Sequence, residues 1–162
     1  FLLEEPEQVK AHCETLNKLC EELNIPLWLS VGNILIGWAK CRLGDMATGL
    51  THIDKGFSAY DAMKIGLFRP LMIIARAQAL IATGSSAEAI ADVRQSIERS
   101  RAGGELWLDA MGHTLLGDLL VQSDPDATKD AEIAWQDARR IAVAQNSPPQ
   151  QNEAESRLNK AA

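Results

Sequence analysis

The chain has 162 residues, of which 46% are hydrophobic, 23% charged and 5% aromatic, and its formal net charge is -6. This length suits one compact domain or one short solenoid and can bury a core without metal or disulfide staples. The acidic balance argues against a nucleic-acid surface, because the densest basic runs, Arg94 to Arg101 and Arg139-Arg140, fall near predicted helix ends, where they complement the helix dipole.

Eight helices are predicted. The first covers 5–24, with Val9, Cys13, Leu16 and Leu23 on one face. Pro26 ends that run and starts a second helix, which continues to Leu43 and stops at Gly44. Asp45 is placed to cap a third helix that reaches Lys64. Beyond Gly66 a fourth helix, 67–83, is apolar nearly all round, as a helix sandwiched between neighbours should be. Gly84 closes it, and Ser85 with Glu88 makes a capping box for a fifth, which ends at Gly103-Gly104. A sixth covers 105–122 and a seventh 127–145, separated by the Ser123 to Asp126 turn. Ser147, Pro148 and Gln150 open an eighth helix that is far more polar than the rest. Such a tail reads either as a cap with a polar outer face or as the place where order fades.

Small residues recur through these helices at a fixed step. Gly37, Ala77 and Gly117 are spaced by 40, and each is followed by a turn, at Gly44, Gly84 and Asp124. The next helix carries Gly49, Ala89 or Ala131, then Gly56, Ser96 or Ala138, with Ile53, Val93 or Trp135 between them. A period in this range marks a stacked helical repeat. Glycine inside a helix costs about 1 kcal/mol relative to alanine, so Gly37, Gly49 and Gly56 call for a packing reason. Close approach within a hairpin supplies one, with Gly37 facing Gly49, Ala77 facing Ala89 and Gly117 facing Ala131. The expected fold is all-α: a right-handed α-α superhelix of hairpins at 26–65, 66–105 and 106–147. A half-repeat helix at 1–25 precedes them and a polar terminal or capping helix at 148–162 follows.

The order small, small, large, small around a turn resembles the tetratricopeptide repeat, although that repeat has a period of about 34. The additional residues fall after Gly56 and Ser96, where longer helices would hold them. GELWLDAMGHTLLGDLL, at 104–120, is similar to a G-E-x-W-x-x-A-x-x-H-x-L-x-G-E-L-L stretch in the tetratricopeptide-like region of bacterial class III adenylate or guanylate cyclases. Trp107, Ala110, His113, Leu115, Gly117, Leu119 and Leu120 match, and Asp118 replaces Glu. The stretches 26–45 and 131–142 agree as well, so the likeness spans about 25 to 150. In those proteins a cyclase domain and a P-loop ATPase domain precede the repeats. The resemblance therefore implies a non-catalytic protein-interaction or regulatory region of a larger protein, and a first residue of Phe1 agrees with a segment cut from one. Large ATP-dependent transcriptional activators carry similar repeats, which leaves a sensor or oligomerisation arm as an alternative. A small-molecule-binding helical domain is a third reading.

Residues for chemistry are lacking in the sequence. The glycines at 103–104 are not followed by Lys-Ser or Lys-Thr, so no phosphate loop is expected. His12, His52 and His113 lie on separate helices without ligand spacing and are read as packing or capping residues; no catalytic residue, metal or cofactor is expected. Cys13, Cys20 and Cys41 are read as small buried hydrophobes of a reduced, cytoplasmic protein. Trp28, Trp107 and Trp135 are expected in the core. Trp38 follows the small landmark Gly37 and is expected to face a groove with Gln78 and Asp118, beside Ile34, Ile74 and Thr114 one turn earlier. That groove would take a protein or peptide, another domain of the parent chain, or a second copy in a homodimer, and neither nucleic acid nor a membrane.

Overall fold

The computed structural model describes residues 5–161, so residues 1–4 of the expected first segment and Ala162 of the last lie outside it. Among the described residues the chain is all-helical, with no strand. The helices are α1 Pro6–Leu23, α2 Pro26–Arg42, α3 Met46–Ala62, α4 Arg69–Ala82, α5 Ser86–Gly103, α6 Asp109–Ser123, α7 Thr128–Ala144 and α8 Pro148–Ala161. Proline occupies the first turn of α1 and α2, where its missing N–H has no helical partner to lose. Gly44 and Gly84 take left-handed turns after α2 and α4, with φ of +92° and +79°.

Three local features depart from the sequence expectation. α4 begins at Arg69 rather than 67, because Phe68 sits at φ +61°, which a right-handed helix cannot contain. The Phe68 N–H donates to both carboxylate oxygens of Glu105, at 3.1 and 3.2 Å, and this charge-assisted contact helps hold the unusual backbone. The sixth helix opens with a 3-10 turn, Leu106–Leu108, before α6 proper. Asp45 stands at the α3 N-cap, where its main-chain oxygen accepts the Gly49 N–H at 3.0 Å but its side chain makes no capping hydrogen bond. Its carboxylate takes the Thr48 hydroxyl, with the Lys40 ammonium 3.7 Å away, and the Thr48 bond leads in holding its pKa below the ordinary value.

The chain divides into two compact units. The first is Phe1–Leu67 with Ala75–Ser85; the second is Phe68–Ile74 with Ser86–Ala162, so the division falls within α4.

In the first unit α2 packs against both α1 and α3. Glycine lets the α2–α3 pair approach closely. A Cβ on Gly37 would lie 2.5 Å from Gly49 O and 2.6 Å from Ile53 Cγ1, and one on Gly56 would lie 2.7 Å from Ser30 O. Ile34, Ile53 and Tyr60 are fully buried beside these contacts. Sequestering each Ile is worth about 1.5–3 kcal/mol, which exceeds the helical cost of a glycine. A polar strip crosses the same three helices: buried Asn33 donates to Leu29 O at 2.9 Å and faces Asn17 and His52, each at 3.4 Å.

In the second unit α6 lies against α5 and α7, and α7 against α8. Ser96 donates to Pro70 O at 3.0 Å, a buried bond that ties α5 to the first turn of α4. Polar α8 buries only Ala154 and is held by ion pairs, including Arg139 to Glu155 at 3.0 Å.

Candidate functional site

Gly117 organises the most developed site, which belongs wholly to the second unit. The three atoms nearest to a Cβ placed on Gly117 all belong to the Trp135 indole, with Cδ1 at 2.7 Å and Cε2 at 2.8 Å. Ala131 is the partner expected for Gly117; the residue it makes room for is Trp135, four positions later on α7. The indole lies flat on α6, and its Nε1–H donates to Asp118 Oδ1 at 3.0 Å. From α8, Arg157 donates Nε to Oδ1 at 3.3 Å and Nη2 to Oδ2 at 3.2 Å. Arg157 Nη2 also meets Glu153 at 3.1 Å. Burial works against the guanidinium charge, but the hydrogen bond and charge of Asp118, with Glu153, outweigh it and hold the pKa above the ordinary value.

Asp118, Trp135 and Arg157 line a cleft of about 650 Å³ formed with Val121, Gln122, Thr128, Lys160 and Ala161. Its charged lining comprises two cations and one carboxylate, in a chain whose net charge is -6. Asp118 spends its acceptors on Trp135 and Arg157. Among the described residues the Arg157 Nη1 group and the Lys160 ammonium have no protein partner.

The other residues expected to line a groove have different surroundings. Ile34, Trp38, Ile74 and Thr114 are buried, and Gln78 and Asp118 are partly exposed. Trp38 is 5% exposed and donates its Nε1–H to Gln78 Oε1 at 2.8 Å, so these two meet as neighbours inside the first unit. Thr114 turns its hydroxyl back to Ala110 O at 3.1 Å. Trp28 and Trp107, expected in the core, are 41% and 44% exposed. Trp107 borders a second cleft of about 530 Å³ with Leu106, Gln145 and Ser147.

A partly buried polar cluster joins exposed Arg101 of α5 to buried His113 and Asp109 of α6. His113 Nε2 lies 2.9 Å from Arg101 Nη2. A guanidinium only donates, so this nitrogen accepts and the proton is assigned to Nδ1. Nδ1 has no partner, and neither does Oδ1 of buried Asp109, whose Oδ2 lies 3.7 Å from Arg101 Nε. Burial is the main cause that lowers the His113 pKa, and Arg101 and Arg140 add to it against Asp137 and Asp109. Cys13, Cys20 and Cys41 are buried and form no disulfide, and burial raises the Cys41 pKa, followed by the charge of Asp45. Among the described residues no group of His, Cys, Asp and Glu is assembled to hold a metal, and no helix is long and apolar enough to cross a membrane.

Sequence reasoning misses Arg157 and Lys160. A signal is present: Arg157 follows Asp118 by 39 residues, close to the 40-residue step of the small landmarks. Compared with protein-family models, curated proteins and solved structures, the chain matches none.

Proposed function

We propose that the chain is a non-catalytic protein-interaction and regulatory repeat region, a right-handed superhelix of tetratricopeptide-like hairpins with a period near 40 residues. The hydrogen bond from Trp38 to Gln78 carries the reading. It joins residues 40 apart, on helices of the same rank in successive hairpins. The Asp118 to Arg157 pair links α6 to the terminal helix α8 at a separation of 39, close to the same step. Glycine contacts at Gly37 and Gly56 supply the hairpin packing such a repeat needs. Helices α3 and α5, of 17 and 18 residues, give room for a period longer than 34.

The likeness of 104–120 to cyclase repeats supports a cyclase–ATPase parent in the cytoplasm. There the repeats would bias the catalytic domains by docking or by recruiting a protein or peptide; this step rests on resemblance. Selection from a displayed peptide library on the intact chain tests the binding role. The expected result is a family of related peptides that bind saturably in solution. If no selected peptide binds in solution, the interaction role is wrong.

A further inference from the structure

We infer that the α6–α7–α8 cleft is a binding site for a small organic carboxylate carried on an apolar body. This site is independent of any protein partner of the repeats. Its volume of about 650 Å³ lies within the range of small-ligand pockets, which combine apolar walls with a few placed polar groups. Val121, Ala161 and the edge of Trp135 supply the apolar wall. The wall is rigid where it matters, because the indole is fixed by Gly117 beneath it and by Asp118 at its N–H.

The polar groups select the charge. Asp118 is turned toward Trp135 and Arg157, so its charge is compensated within the protein. The same contact holds the Arg157 guanidinium by its Nε and Nη2 edge and leaves Nη1 for a ligand. Lys160, one turn later on α8, adds an ammonium to the lining. A carboxylate placed between these two donors gains charge-assisted hydrogen bonds, and the rest of the molecule covers the apolar wall. Thr128 is committed to Pro125 O at 2.9 Å, so it offers its oxygen rather than its proton.

The probes are 2-naphthoate, its neutral isostere 2-naphthamide, and inorganic phosphate, each titrated into the intact chain while the Trp135 indole N–H resonance is followed. 2-Naphthoate should shift that resonance saturably, and both the amide and phosphate should bind more weakly. Lys160→Gln should weaken naphthoate about fivefold, as loss of one partly exposed charge contact does. Lys160 is exposed and makes no hydrogen bond or ion pair among the described residues, so this variant should fold even if Arg157→Lys does not. Equal binding of amide and naphthoate would overturn the proposal. So would phosphate matching naphthoate, an unchanged affinity in Lys160→Gln, or no saturable shift at millimolar probe.

Discussion

Trp38 gives its indole N–H to Gln78 Oε1 at 2.8 Å, and the two residues are 40 positions apart. In the proposed repeat, one hairpin supplies a buried donor and the equivalent position of the next supplies its acceptor. A buried indole without that acceptor loses the full desolvation cost of its N–H. Gln78→Leu should therefore destabilise the chain by about 1–3 kcal/mol in urea unfolding. The same substitution in a Trp38→Phe background should cost clearly less. Equal costs in both backgrounds would show that the bond contributes nothing.

The glycines separate into two classes. Gly37→Ala and Gly117→Ala place a methyl where Gly49 O and the Trp135 ring now lie, and overpacking of this kind costs about 1–3 kcal/mol. Gly103 ends α5, and a Cβ added there would meet nothing within 4 Å, so Gly103→Ala should stay within about 0.5 kcal/mol of the parent. Thermal melts of the three variants check the ranking, and the larger Gly37→Leu and Gly117→Leu should melt lower still.

Asp118 serves two donors, and its variants can separate them. Asp118→Asn keeps an acceptor for the Trp135 indole and removes the charge that Arg157 meets. Asp118→Leu removes both. The Arg157 pair is partly exposed, so its charge term is worth about 0–1 kcal/mol, whereas the lost acceptor for Trp135 costs about 1–3 kcal/mol. Asp118→Leu should be the less stable variant by denaturant midpoint, with Asp118→Asn between it and the parent.

His113 sets part of the acid sensitivity. Its folded pKa lies below the ordinary value of about 6.5, first because of burial. Below that pH the unfolded chain takes up a proton that the folded chain resists, so stability falls as pH drops from about 6.5 toward the folded pKa, levels off below it, and is unaffected well above 6.5. His52 is shifted in the same direction, mainly by its burial, and contributes to the same window. Unfolding free energy measured across this range should fall less steeply in His113→Gln than in the parent. An unchanged slope would remove His113 from the account.

The helices are legible in the sequence because their boundaries are local events. Pro26, Gly44 and Gly84 act on their own backbone, and the spacing of Gly37, Gly49 and Gly56 reports a packing contact directly. What escapes is set by distant partners. Phe68 is held at positive φ by Glu105, 37 residues on, and nothing near Phe68 announces it. Trp28 and Trp107 have the size of core residues but stand exposed where their helical segments begin. Half of the site can be reached, since the place of Asp118 directly after Gly117 marks it out. Arg157 stays hidden because the polarity of α8 suggests a solvated cap, although it stands 39 residues beyond Asp118, close to one proposed period.

The repeat itself is tested most directly by deletion. Removing 66–105 takes out one whole period of the proposed repeat and brings Asp118 to the sequence position that Gln78 occupies, which in that repeat again offers an acceptor to Trp38. Removing 66–85 takes out a single helix and shifts all that follow by half of the proposed period. In a stacked repeat each unit depends on its neighbours, so loss of a full period is tolerated where loss of half a period is not. Circular dichroism melts should show cooperative unfolding and parent-like helicity per residue for the first deletion and neither for the second. If the whole-period deletion is as poorly folded as the half-period one, the 40-residue repeat is not the organising unit of this chain.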